Sequence, residues 1–225
     1  MFKKNRLIGG ILAVMLGCLT LQAKTIPELR AAAEKGDADA RFELGVYYSF
    51  GICVAEDKTV AEKLFRQAAE QGHRAARAMC CGEGYGVKKD AVKAIALFHQ
   101  AAEAGDAWAQ FWLGSFYGAN NAPEKSLHWF RKSAEQGNSW GQVFLGMWYL
   151  GISKNENAPK DPKLGFEWCL KSAEQGNVMG QLILGGCYAG GKGVPRDIEK
   201  AVYWFRQAAE QDCEPAKAAL KKLEK

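Results

Sequence analysis

Little in this sequence does chemistry. Its three histidines, His73, His99 and His128, stand far apart, and no HxxxH or CxxC pair occurs. That spacing holds no zinc site, so no metal and no cofactor are expected. After residue 23 no serine has a lysine three positions on, and KTG is absent; the serine signature of β-lactam chemistry is therefore missing. Gly137-Asn-Ser139-Trp-Gly141 spells GxSxG, but that motif works only at a strand-to-helix turn, and here it falls at a helix–helix junction. Gly82-Glu-Gly84-Tyr-Gly86 and Gly191-Lys-Gly193 follow no strand, so they are not phosphate cradles.

Charge of one sign is also missing. Setting aside Lys3, Lys4 and Arg6 leaves 27 of the 30 basic residues against 25 acidic ones. With no basic block and no acidic tail, nucleic acid is not an expected partner.

Long apolar runs are absent apart from Leu7–Leu21, which follows a basic opening, Met1–Arg6. Its 15 residues are too few to span a bilayer, and Ala23 offers a cleavage point. Residues 1–23 therefore read as a secretory signal peptide, with 24–225 as the mature chain and no membrane span in it. Lipid attachment at Cys18, after Met15-Leu16-Gly17, is the less favoured alternative, because the residues beyond it stay apolar. The protein is expected to be exported, periplasmic or secreted.

What the chain does have is a phrase repeated down its length. AAEKG ends at Gly36, and related copies end at Gly72, Gly105, Gly137, Gly176 and, as AAEQD, at Asp212. A period near 35 residues means stacked supersecondary units with no single central core. In the last unit Gly180, Leu184, Gly185 and Tyr188 share one side of a helix, Gly190–Gly193 ends it, and Asp197 is placed as the N-cap of a second helix. Leu44-Gly45 recurs as Leu113-Gly114, Leu145-Gly146 and Leu184-Gly185, and Asp57, Asp90, Asp161 and Asp197 recur before second helices.

These residues resemble the Sel1-like repeat, a relative of the tetratricopeptide repeat. The resemblance implies an all-α fold: an α/α solenoid of about five helix-turn-helix repeats, at approximately 37–72, 73–105, 106–137, 138–176 and 177–212. A half-unit at Pro27–Lys35 and a closing segment over 213–225, with a helix at Pro215–Leu223, would cap the two ends. It also implies a concave face lined by the first, or A, helices, and adaptors for protein partners as the common role. Some cysteine-rich exported members have been linked to β-lactam binding or hydrolysis, so an enzyme acting on cell-wall or β-lactam substrates is the alternative to a non-catalytic scaffold. Departures fall in the second unit, which lacks three residues of the A helix, and in the fourth, which has a longer loop, Gly151–Pro162.

The side of each A helix away from its own unit should be polar in a soluble protein. Instead the third unit places Trp108, Phe111 and Trp112 there, the fourth Trp140, Phe144 and Met147, and the fifth Met179 and Ile183. One reading is an aromatic groove on the concave face that binds a protein or peptide. The other is that neighbouring A helices bury these side chains. Replacing Trp108 and Trp112 together separates the two.

Six cysteines lie beyond the signal, an even count that invites disulfides in an exported chain. Similar heights in an antiparallel helix pair suggest Cys169–Cys187, and Cys53, in the loop after one helix, is paired with Cys80, near the end of the equivalent helix one repeat on, leaving Cys213 unpaired; small buried residues are the other reading. The recurring Glu34, Glu70, Glu103, Glu135, Glu174 and Glu210 suggest a structural role, with hydrogen bonds to the next unit.

Overall fold

The computed structural model describes residues 24–152 and 160–223. The expected signal segment with Cys18, and residues 153–159 of the long fourth loop, lie outside the described residues. Twelve helices and no strand occur among those described. Helix α1 (Ile26–Glu34) leads. Five antiparallel A/B pairs follow: α2 (Ala38–Phe50) with α3 (Lys58–Glu70), α4 (Arg74–Glu83) with α5 (Ala91–Glu103), α6 (Ala107–Ala119) with α7 (Pro123–Glu135), α8 (Ser139–Tyr149) with α9 (Pro162–Glu174), and α10 (Val178–Gly190) with α11 (Ile198–Ala209). Helix α12 (Glu214–Leu223) closes the stack. Each helix packs mainly on its sequence neighbours, as an α/α solenoid requires.

Local chemistry sets the boundaries. Asp57, Asp90, Asp161 and Asp197 each accept a backbone N–H in the first turn of a B helix, satisfying donors that the helix itself cannot. In the third unit Ala122 stands in that place without a side-chain cap, and Pro123 starts the helix instead. Asp37, His73, Asp106, Asn138 and Asn177 cap the A helices in the same way. The glycine ending each repeated phrase turns the chain between units at φ of 87–97°, a conformation that a side chain resists.

The Leu-Gly pair is explained by close approach. Ring atoms of Phe130 would lie 2.5 Å from a Cβ on Gly114, and those of Phe205 2.7 Å from one on Gly185. In the fourth unit the B-helix residue is Cys169, and backbone itself moves in: the carbonyl oxygen of Gly165 would lie 2.9 Å from a Cβ on Gly146.

The repeated glutamates do not join the units; all six are exposed. Two side chains in series do so: the residue beside the glutamate holds the A helix of its own unit, and a residue on that A helix reaches the preceding unit. Gln136 Nε2 donates to Gln110 Oε1 and Gln175 Nε2 to Gln142 Oε1, both at 2.6 Å, and Gln211 Nε2 donates to Gln181 Oε1 at 2.9 Å. Gln110, Gln142 and Gln181 in turn donate to the carbonyls of Ala102, Ala134 and Ala173 at the end of the preceding unit. In the first unit Arg41 makes both links, to Gln71 Oε1 at 2.9 Å and to the Ala33 carbonyl at 3.1 Å. The result is a ladder of side-chain amides along the stack. A carboxylate has no donor for it at neutral pH.

Candidate functional site

The stack curls until its first and last repeats touch. Cys53, in the loop after α2, is disulfide-bonded to Cys213 at the start of α12, 160 residues away. The Ile26 N–H donates to Gln211 Oε1 at 3.0 Å. Tyr47 is buried against Trp140, ring centroids 4.9 Å apart, and its hydroxyl meets the backbone at Val178.

Packing between neighbouring units and this closure together decide where the aromatic residues lie. Phe111 and Trp140 are fully buried, so these two line no open groove. The A helix of the first unit packs its own aromatics, Phe42, Tyr47 and Phe50, against the third and fourth, and the side of α6 and α8 that a linear stack would expose becomes shared core. Trp108, Trp112, Phe144, Met147, Met179 and Ile183 remain half-buried. Trp108 packs edge-on against Phe42 and lines a depression of about 370 Å³ with Asp39, His73, Arg74 and Asp106. Trp112 stacks under Phe50 at 5.6 Å, and Phe50 is 43% exposed.

The expected disulfides are corrected. Cys80, Cys169 and Cys187 are free and buried, as is Cys81. Cys53 is taken by Cys213, a pairing between the two ends of the stack that a comparison of adjacent units could not find. Cys169 and Cys187 share one small core cluster but are not bonded to each other, and the Cys169 sulfur lies against Gly146 on α8. Burial pushes the Cys80 and Cys187 thiols up to about 11 and Cys169 higher still. They are neutral at physiological pH and poor nucleophiles. Ser139, of the GxSxG match, is buried at the start of α8, and its hydroxyl accepts from the Asn177 amide.

Glu43, on α2, is the one interior carboxyl among the described residues. Its stem is half-exposed, yet its Oε1 is enclosed without a partner. Loss of hydration raises its pKa to about 7, and Asp39 and Asp37 add to this; the nearby Trp140 indole and Lys24 offset it in part. Trp140 Nε1 completes no hydrogen bond. No local sequence pattern reveals the enclosure of Glu43, which arises from the closure.

The second repeat breaks the amide ladder. Where the other B helices end in Gln71, Gln136, Gln175 or Gln211, α5 is followed by Ala104. Arg77, at the place of Arg41, has no hydrogen bond or ion pair among the described residues. Helix α4 has 10 residues against 13 in α2, α6 and α10. Beside it opens a cavity of about 700 Å³, with Arg66, Arg77, Cys80, Tyr85 and Lys93 in its wall.

The Sel1 repeat matches the sequence five times, over residues 38–73, 74–106, 109–138, 141–177 and 178–213. Among solved structures, a protective antigen of uropathogenic Escherichia coli strains is 32% identical over 96% of this chain, with a TM-score of 0.58. The match covers 47% of that antigen, so the chain spans about half its length. A Sel1 repeat protein from Oxalobacter formigenes has the same TM-score at 24% identity, covering 97% of this chain and 87% of its own. An immunity protein from Pseudomonas aeruginosa shares the fold at 16% identity, with a TM-score of 0.51 over 96% of this chain and 86% of its own.

Proposed function

Because the chain belongs to the Sel1 repeat family, whose members are typically protein-interaction scaffolds and generally non-catalytic, we propose that it is an exported scaffold that holds a protein or peptide partner on the rim of its aromatic interior. The observation that carries this reading is the stacked pair Phe50 and Trp112, with Phe50 43% exposed and its neighbour half-buried. An exposed aromatic pair on a rigid helical support is the composition of a binding hot spot. Trp108, Phe144, Met147, Met179 and Ile183 extend the same side, while Phe111 and Trp140 hold it from beneath. Export is supported by the disulfide, which persists in oxidising compartments.

The test is a photocrosslinking amino acid placed at Phe50 in the full chain, expressed in its native host. A discrete adduct at Phe50, absent when the probe stands at exposed Glu199 and lost when Trp112→Ala is added, is expected. Adducts equal at both positions, or none at Phe50, would overturn the proposal. The Trp108→Ala/Trp112→Ala variant gives the second readout: it should keep its helical melting transition while losing the adduct.

A further inference from the structure

Arg77 stands at the missing rung. A guanidinium carries five donors in a planar fork suited to a carboxylate. In the first repeat the equivalent Arg41 is satisfied by Gln71 and the Ala33 carbonyl. In the second, Ala104 offers no acceptor, and Arg77 faces the cavity instead.

The cavity arises from the same unit's other departure. The turn missing from α4 leaves small side chains, including Cys80 and Cys81, as its floor, between α3, α5 and the 84–90 loop. Its wall carries five cations, Arg66, Arg77, Lys88, Lys89 and Lys93, against two carboxylates, Glu70 and Asp90. Arg66 and Lys89 have carboxylate neighbours, Glu62 at 3.8 Å and Glu83 at 3.7 Å. Arg77, Lys88 and Lys93 have none within ion-pair distance among the described residues. Asp90 already accepts the Lys93 backbone N–H as the cap of α5. In a chain otherwise almost balanced in charge, this is a local excess of unpaired positive charge in a concave site.

We propose that this cavity binds an acidic peptide segment of the protein partner, with Arg77 receiving a carboxylate and Lys88 and Lys93 as further anchors. The inference rests on the scaffold reading and gives its partner a chemistry. The volume lies within the range of sites that enclose a few side chains, and Leu97 and the edge of Tyr85 give apolar contact beside the charges. Peptide is favoured over nucleic acid on two grounds. The charge is confined to one cavity and interrupted by Glu70, where a phosphate backbone needs a continuous track. One face of the Tyr85 ring is already stacked on Phe65, 12° from parallel with centroids 6.2 Å apart, and no second aromatic among the described residues lines the cavity, whereas a single strand needs successive stacking platforms.

The experiment is fluorescence anisotropy of a labelled hexapeptide of Asp and Glu against the full chain, beside its Asn/Gln isostere and an oligothymidine of equal charge. The acidic peptide should bind in a salt-sensitive way, with the isostere about tenfold weaker or worse. Ala104→Gln restores the missing rung and should capture Arg77 as Gln71 captures Arg41. It is expected to weaken the acidic peptide about tenfold while the melting temperature stays level or rises, so that misfolding cannot account for the loss. Arg77→Gln, at an exposed position, should weaken binding to a similar degree. Equal binding of the isostere, retention of affinity in both variants, or tighter binding of the oligothymidine would overturn the proposal. Failure here with the Phe50 adduct intact removes the cavity alone; loss of that adduct with peptide binding intact removes the aromatic rim and leaves the cavity.

Discussion

The backbone N–H of Ile26 donates to the side-chain carbonyl of Gln211, 185 residues further along the chain. Gln211 also holds Gln181 and the Gly176 carbonyl, so the last rung of the amide ladder is the point at which the stack closes on its own first helix. The disulfide between Cys53 and Cys213 fixes the same contact covalently. Stability should therefore depend on it beyond what neighbouring units give each other.

Replacing Cys53 and Cys213 together with serine is expected to cost about 2–5 kcal/mol, the range for a native bridge that closes a long loop. Denaturant titration with and without a reductant measures this. The wild-type protein should lose stability on reduction and the variant should not. Opening should also wet Trp140 and shift tryptophan emission to longer wavelength before the helices melt. Identical transitions for the oxidised and reduced wild type would show that the bridge does not hold the ends.

Glu43 gives the closed form a pH dependence of unusual sign. Its pKa is raised in the folded chain, from an ordinary 4.5 to about 7. The native state therefore binds more protons than the unfolded state between those values, and stability falls as pH rises through that window. Glu43→Gln removes this contribution. The variant should be more stable than wild type at pH 8 by roughly 2–4 kcal/mol, and the two should converge towards pH 4. Parallel stability curves across that range would place the Glu43 carboxyl in water.

The repeated phrase made the unit length legible, and the spacing of Asp57, Asp90, Asp161 and Asp197 located the B-helix starts, because turn glycines and caps are local requirements written beside the helices they serve. What adjacent units could not show was the curl of the whole stack. That global quantity set Cys53 beside Cys213, packed Tyr47 on Trp140 and enclosed Glu43, whereas Phe111 is buried by rings of its own and the next unit. The ladder was open to reading and was assigned to the wrong residue: glutamate recurs in every copy, yet only the neighbouring glutamine has the donor that a carbonyl needs. Its absence from the second full unit, where Ala104 stands, was the available signal for Arg77.

The ladder can be tested against that rival directly. Gln175→Ala removes the donor to Gln142 Oε1, a bond of 2.6 Å whose acceptor residue is buried, and should destabilise by about 1–3 kcal/mol. Glu174→Ala, one position away and exposed, should change stability by no more than about 0.5 kcal/mol. Urea denaturation of the two variants gives the comparison. A larger cost for Glu174→Ala would return the structural role to the glutamate.

Two adjacent glycines on α10 should respond to alanine in opposite directions. At Gly185 the added methyl would stand 2.7 Å from ring carbons of Phe205, closer than non-bonded carbons approach. Phe205 is buried on α11, so its ring can yield only by pushing the two helices of the unit apart. Gly185→Ala is expected to cost about 1–3 kcal/mol, as overpacking does elsewhere. At Gly186 nothing lies within 4 Å of the new Cβ, and the residue is exposed. There the only effect is on the backbone, where alanine loses less entropy than glycine in forming a helix. Gly186→Ala should gain about 0.5–1 kcal/mol. Thermal denaturation of the pair under one condition reads both signs. If both variants are stabilised, the two helices are not in the close contact that Gly185 permits; if both are destabilised, the exposed side of α10 is covered by something that the packing of this chain does not supply.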